Sequence, residues 1–319
     1  MTRIFVSEYT CAAPPASLEA GGAASLRAEG EAMLKAALAD FESVPGVEAF
    51  TIPSSTDEEA AFRAAARRAD WSLVIAPEFD RILETRCRWV LEEGGLLLGP
   101  SPDAVRLCAD KLALFQWWTE RGVRTPATRE WDRPVHFDEK VALKPRFGAG
   151  GRDTSFGYDF VPPANMPMLV QPFIEGRAAS VAFLIGEAGR FPLRAASQHF
   201  AAGLQCAYLG GRTPLPPPLE ERAQGNASEA IKGIPDLFGY IGVDVILGED
   251  GRDWAIEINP RLTTSYIGLR QLAATNLAEA MLRVARGEVP TISWHDGVVE
   301  FRTNGPPPAE ATGATNLLK

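Results

Sequence analysis

The chain has 319 residues, of which 46% are hydrophobic and 23% charged, and its formal net charge is −9. That balance describes two or three packed domains and argues against a dedicated nucleic-acid surface. The four cysteines, Cys11, Cys87, Cys108 and Cys206, are too scattered for a zinc site or a disulfide framework, and no apolar run approaches the roughly 20 residues of a membrane span.

The opening MTRIFVSEYT reads as a charged strand rather than a signal peptide, with the strand over residues 3–9. A reducing, cytoplasmic setting follows as the expectation. Pro14, Pro15 and paired glycines mark a loop up to Gly22. Leu26, Met33, Leu34, Ala37, Leu38 and Phe41 then recur at helical spacing, and Pro45-Gly46 stops that helix. VEAFTIP is a second strand. DEEAAFRAAARRAD is a helix with acids at its start and arginines at its end, which suits its dipole. WSLVIAPE and GGLLLGP (94–100) are further strands. Strands alternating with helices predict a parallel α/β layer.

A single helical segment is expected over 103–121, with Ser101 and Asp103 as caps and Gly122 as its stop. Short strands follow in VALKPRFGAGG, MLVQPFIEG, SVAFLIGE and FPLRAASQHF. Residues 213–220 read as a stiff proline loop and 227–239 as a helix. Residues 276–288 read as an amphipathic helix, and the tail after residue 303 as mobile. The expected division is a parallel α/β domain over 1–102, a small subdomain over 103–175, a larger one over 176–303 and a tail over 304–319.

The chemistry concentrates in GYIGVDVILGEDGRDWAIEINPR, residues 239–261. Two apolar strands flank a turn whose Asp-Gly supplies the positive φ of a tight hairpin. Asp244 lies on one strand. Glu257 and Asn259, two apart on the other, share a face. Three hard oxygen ligands among apolar neighbours predict a Mg²⁺ site, since Mg²⁺ completes its octahedron with water and phosphate. Upstream, Lys144 leads a loop in which Gly148, Gly150 and Gly151 allow backbone N–H groups to approach phosphate oxygens. The GK[ST] ending of a Walker loop is absent, and no long helix follows as in a dinucleotide-binding turn. No Ser-His-Asp or Cys-His arrangement is recognisable.

Lys111, then KPxxGxGG at Lys144, then QPFIEG at 171–176, then D-x₁₂-E-x-N-P-R ending at Arg261: this order resembles the ATP-grasp superfamily. The resemblance covers roughly residues 100–285, and the preceding layer is similar to that superfamily's pre-ATP-grasp domain. It implies an α/β chain with an α+β, two-lobed ATP-binding part. It also implies ATP and two Mg²⁺ ions, with Mn²⁺ as a substitute. Lys111 and Lys144 would contact phosphates, and Gly148 to Gly151 would form a lid. Gln171, Phe173 and Ile174 would line the adenine hinge. Asp244, Glu257 and Asn259 would hold metal, and Arg261 would face the γ-phosphate or an acyl phosphate. Where family members carry an acidic ribose ligand this chain has Ala178, and Glu175 is the candidate replacement.

The implied activity is activation of a carboxylate by phosphoryl transfer, followed by attack of an amine. EINPRLTTSYIGLR in particular resembles the branch that joins the glutamate γ-carboxylate to tyramine in methanofuran biosynthesis. Candidate substrate contacts are Arg194, Gln198, Tyr208, Arg212, Arg261, Thr263 and Thr264. Another amino acid or peptide, or nucleotide binding without catalysis, stays open as an alternative. So does self-association. Plainer roles compete for several side chains. Tyr208 and Trp131 suit a core, His199 a structural contact, Trp117-Trp118 a domain interface, and Arg270, at the start of a helix, a surface charge.

Overall fold

The computed structural model describes residues 1–13, 23–132, 135–160, 166–201, 203–204 and 206–302. The loop expected before Gly22 (its residues 14–22) and the tail expected over 304–319 lie outside the described residues. The N-terminal part contains β1 (Thr2–Glu8), α1 (Tyr9–Ala12), α2 (Ala23–Glu42), β2 (Val47–Phe50), α3 (Glu58–Arg68), β3 (Trp71–Ile75), α4 (Ile82–Glu92) and β4 (Leu96–Leu97). The strands form a parallel sheet in the order β2-β1-β3-β4. Helices cover both faces, so β1 is apolar on both sides. Ile4 and Val6 face one core, and Phe5 faces the other beside Phe62. Asp57 caps α3 by accepting from the Ala60 N–H, and Arg67 and Arg68 close its last turn. The sequence reading omits α4, whose buried Leu83, Cys87 and Val90 sit among charged neighbours that hide the stripe.

The helix expected over 103–121 is two helices, α5 (Pro102–Ala109) and α6 (Lys111–Glu120). Asp110 breaks it with an extended backbone, φ −86° and ψ 95°. Its Oδ1 then caps α6 by accepting from the Leu112 and Ala113 N–H groups. The same carboxylate takes two hydrogen bonds from Arg146, at 2.8 and 2.7 Å. The break therefore ties α6 to the glycine loop, and Lys111 becomes the first residue of a helix rather than its middle.

The small lobe is an antiparallel sheet in the order β5-β8-β6-β7, from β5 (Arg129–Trp131), β6 (Val135–Pro145), β7 (Ser155–Phe160) and β8 (Met168–Pro172). Trp131 belongs to its core, as its plainer role requires. The large lobe holds β9 (Arg177–Gly186), β10 (Gly189–Pro192), β11 (Ala196–Phe200), β12 (Tyr208–Thr213), β13 (Gly239–Leu247), β14 (Asp253–Asn259) and β15 (Val299–Arg302). Its path is β14-β13-β9-β11-β12-β15, with β10 on β9.

Packed against this sheet is α7 (Pro217–Ala230), not a helix over 227–239. Prolines at its first turn start it, because their missing N–H groups would be unpaired there in any case. The proline loop is therefore shorter than its composition suggests. The chain closes through α8 (Ser265–Leu272) and α9 (Leu277–Ala285). Arg270 lies in the last turn of α8, where Asp40 of α2 takes its guanidinium, and is not a free surface charge at a helix start. Trp118 is buried and donates to the Ala230 carbonyl at 2.8 Å, joining α6 to α7.

One core runs through both parts. Met33, Leu34 and Phe41 of α2, with Leu73 and Ile75 of β3, pack with Leu184, Tyr240, Tyr266, Leu269 and Met281. The N-terminal sheet thus shares its apolar face with the large lobe, which sets the C-terminal ends of β1 and β3 beside β14. Among the described residues no helix is long and apolar enough to cross a membrane.

Candidate active site

A cavity of about 480 Å³ lies between the two lobes and the ends of β1 and β3. At its centre Asp244 and Glu257 face each other across β13 and β14 as direct register partners, with a bulge after Asp244. The hairpin that the Asp-Gly turn predicts is formed, with Gly251 at φ 80°. Asn259 Nδ2 donates to Asp244 Oδ2 at 3.0 Å, and Gln198 Nε2 donates to Asp244 Oδ1 at 2.9 Å. Burial, and then the neighbouring Glu257 charge, push Asp244 up to about 7. Burial works to raise Glu257 as well, but Lys111, Lys144 and Arg261 together bring it below the ordinary carboxylate range. Two partly buried carboxylates facing each other with an amide beside them make a donor set that suits a divalent cation.

Cations ring this pair. Lys144, at the end of β6, is 5% exposed. Burial lowers it to about 8, against the opposing pull of Glu257. Lys111 Nζ lies 3.6 Å from Glu257 Oε2 and donates to the Gly148 carbonyl at 2.9 Å. It reaches the site from behind the glycine loop and does not line the cavity. Gly150 and Gly151 have φ of +64° and +70°, so the loop turns in the left-handed region that glycine tolerates. Both line the cavity, whereas Gly148 faces a neighbouring cleft toward the N-terminal part. The loop is held down by hydrogen bonds from Phe156 N–H to the Leu204 carbonyl (2.8 Å) and from Cys206 N–H to the Thr154 carbonyl (2.9 Å).

One end of the cavity is an apolar slot containing Ala142, Phe156, Phe173, Ile174, Ile246 and Ile256. Lys140 Nζ stands 3.9 Å over the Phe173 ring. Gln171 is buried and donates to Thr128 Oγ1 at 2.6 Å. Glu175 is exposed and outside this wall, because the chain turns at Gly176 before β9 begins. Ala178 itself lines the slot.

The other end is built by the N-terminal part. Glu8 at the end of β1, Glu29 and Met33 of α2, and Ala76 and Pro77 after β3 line it, opposite Tyr208, Thr263, Thr264 and Arg261. Glu78, the next residue, is buried and pairs with the largely buried Arg261 at 2.9 Å. Thr264 Oγ1 donates to Glu29 Oε2 at 3.3 Å. Thr263, Ser265 and Tyr240 share hydroxyl contacts, Thr263 to Ser265 being 2.8 Å. Burial raises the Tyr208 phenol far above its usual value, so it is a neutral hydroxyl here.

Lys144, Gly150, Gly151, Gln171, Phe173, Ile174, Asp244, Glu257, Asn259, Arg261, Gln198, Tyr208, Thr263 and Thr264 therefore meet on one cavity. Arg194 and Arg212 do not. Arg194 turns to Glu220 of α7 at 2.8 Å, and Arg212 is exposed on β12. His199 bonds Ser197 on the same strand, a structural contact. The sequence reading misses Glu8, Glu29 and Glu78. Two of these stand at or just beyond the C-terminal ends of parallel strands, the edge where α/β sheets place ligands, and that position was the available signal.

Residues 108–265 match the model of the ATP-grasp domain, and residues 32–105 match that of the pre-ATP-grasp 3 domain. The chain is 30% identical over 251 residues to tyramine–L-glutamate ligase of Methanocaldococcus fervens, covering 78% of this chain and 77% of that one. In fold it is similar to an ATP-grasp superfamily protein from Archaeoglobus fulgidus, with a TM-score of 0.73 at 23% identity, covering 95% of this chain and 99% of the other. It is also similar to the L-amino acid ligase of Bacillus licheniformis, with a TM-score of 0.62 at 14% identity, covering 91% and 77%. With the cation-ringed carboxylates on its central hairpin, the chain belongs to the ATP-grasp superfamily, whose domain binds ATP, and is a carbon–nitrogen ligase of that fold.

Proposed function

We propose that this ligase joins the γ-carboxylate of L-glutamate to tyramine through an acyl phosphate, releasing ADP and phosphate, as a step of methanofuran-type cofactor synthesis in the cytoplasm. The observation that carries the reaction type is the meeting of Lys144, Arg261 and the Asp244–Glu257–Asn259 set on one cavity that continues to a hydroxyl- and carboxylate-lined wall. The likeness to tyramine–L-glutamate ligase supports the choice of substrates.

Adenine fits the apolar slot beside Phe173 and Ile174, and Gln171 buttresses the strand that presents it. Lys144 serves the phosphates, with Lys111 adding its charge from behind the glycine loop, and the Gly150–Gly151 backbone covers them. A carboxylate attacking an anionic phosphate meets like-charge repulsion, and fixed cations in a water-poor site offset it. Arg261 is such a cation. Glu78 holds its guanidinium from the N-terminal part, so it needs no reorganisation as charge moves. Asp244, Glu257 and Asn259 would hold two Mg²⁺ ions, or Mn²⁺, which when bound neutralise phosphate charge. Thr263 and Thr264 offer hydroxyls to the amino acid. Tyr208, kept neutral, offers a hydroxyl and an aromatic wall to the amine.

The test is a panel of amino acids and amines with Mg²⁺ and ATP, read by phosphate release and product mass. The expected product is γ-glutamyltyramine, with ADP and phosphate. Release of AMP and pyrophosphate refutes the acyl phosphate, and turnover only with a different acid or amine refutes the named substrates.

A further inference from the structure

One carboxylate on the cavity wall takes no part in nucleotide or metal chemistry. Glu8 ends β1, lines the cavity and is 3% exposed. Its Oε2 accepts from Thr10 Oγ1 at 2.7 Å and from the Cys11 N–H at 2.9 Å. Both of these bonds end on Oε2, and the Thr10 backbone and the Cys11 side chain also stand beside the carboxylate. The placement is enforced from the other side too. Gly30 of α2 leaves the space that the carboxylate fills, and a Cβ there would overlap the carboxyl carbon and both oxygens. Two hydrogen bonds on Oε2 and a glycine gap fix the group on the cavity wall, and neither bond uses Oε1.

A buried carboxylate without a cation is costly unless one arrives with a ligand. Glu29 on the same wall already takes a hydrogen bond from Thr264. Lys140 stands over Phe173 at the far end of the cavity, and Lys111, Lys144 and Arg261 are engaged with Glu257 and Glu78. Substrates of an amine ligase carry primary ammonium groups, and such a group supplies both a charge and three donors. We propose that Glu8 is the receiving carboxylate for a substrate ammonium group, its Oε1 accepting the N–H bond while Thr10 and Cys11 hold Oε2. Burial raises the free carboxyl above its ordinary range, with Thr10 and Cys11 pulling the other way, and a bound ammonium offsets that penalty.

The inference rests on the proposed ligation, in which two ammonium groups occur: that of the attacking amine and the α-ammonium of the amino acid. The experiment separates them. Wild type, Glu8→Gln and Glu8→Asp are compared in phosphate release with L-glutamate and tyramine. They are then compared in hydroxamate formation with hydroxylamine, which is largely uncharged at neutral pH, in place of tyramine. A hydrogen bond to a charged group predicts a KM rise of about 10- to 150-fold for one ammonium substrate in Glu8→Gln. The ADP dissociation constant and melting temperature stay unchanged, and Glu8→Asp recovers most of the loss.

A rise confined to tyramine, with hydroxamate formation intact, assigns the site to the attacking amine. A rise for glutamate that also depresses hydroxamate formation assigns it to the α-ammonium. Both KM values within about twofold of wild type overturn the proposal, as does a parallel loss that includes ADP binding. If the wild type turns over neither substrate, the proposed reaction fails separately. Glu8 is then judged by calorimetry with two pairs, tyramine against 4-(2-hydroxyethyl)phenol and L-glutamate against glutarate. Preference for the ammonium compound in either pair that Glu8→Gln abolishes supports the site, and equal affinity within both pairs overturns it.

Discussion

Glu78→Gln isolates the contribution of a residue from the N-terminal part to chemistry on the opposite side of the cavity. The substitution keeps shape and removes charge. Glu78 and Arg261 side chains are 4% and 12% exposed; they form an ion pair at 2.9 Å, and Arg261 Nη2 donates to Glu78 Oε2 at 3.3 Å. A hydrogen bond between charged groups contributes about 1.5–3 kcal/mol. Glu257 and Glu29 remain near the guanidinium, so it is not stranded, and the loss sits near the middle of that range. About 2 kcal/mol corresponds to roughly a 30-fold drop in kcat/KM. The assay is ADP release with glutamate and tyramine, alongside calorimetric ADP binding and a thermal melt. Because Arg261 serves the transferred phosphoryl group in this scheme, kcat falls while ADP affinity holds within about twofold. Unchanged kcat in a folded variant refutes the positioning argument. An equal loss of ADP affinity refutes the assignment of Arg261 to the reacting phosphate.

Glu257→Gln and Asn259→Ala each lower turnover by about 100-fold or more if the hairpin holds metal, and titration with Mn²⁺ reads the weakened binding directly; near-normal rates refute it. Gly151→Ala forces a residue at φ +70° whose Cβ would stand 2.9 Å from Cys206 Sγ. The left-handed cost of about 1–2 kcal/mol and the contact add, and the KM for ATP rises about tenfold. Adding Cys206→Ala recovers the contact part only, and a variant pair with identical KM values refutes it. Glu84 is held down to about 2 by the Arg81 hydrogen bond, against burial, with Arg106 and Arg88 assisting. Its folded value lies below its unfolded value, so it contributes stability that is full above the ordinary carboxylate range and is lost as pH falls from about 4.5 toward 2. Denaturant midpoints should show Glu84→Gln losing that part of the slope; an unaltered slope refutes it.

The residues proposed for phosphate and metal are legible in the sequence because each depends on local geometry. A period of two sets Glu257 and Asn259 on one face, a hairpin turn sets Asp244 opposite, and a glycine run permits a backbone loop. Asp110 was misread for the converse reason. Nothing in its neighbours announces that its carboxylate prefers the α6 cap and Arg146 to a continuous helix. Arg194 and Arg212 carry the right charge, but their strand neighbours send them to Glu220 and to solvent.

By itself the sequence determined most of the strands, the hairpin that brings Asp244, Glu257 and Asn259 together and the family order of its motifs, since these are patterns of nearby residues. Only the tertiary structure decided the end of the cavity that the N-terminal part builds. Glu8, Glu29 and Glu78 reach it because the N-terminal sheet shares one core with the large lobe. Contacts such as Glu78 with Arg261, 183 residues apart, arise from the packing of two layers. No periodicity within either segment encodes which carboxylate the other will meet.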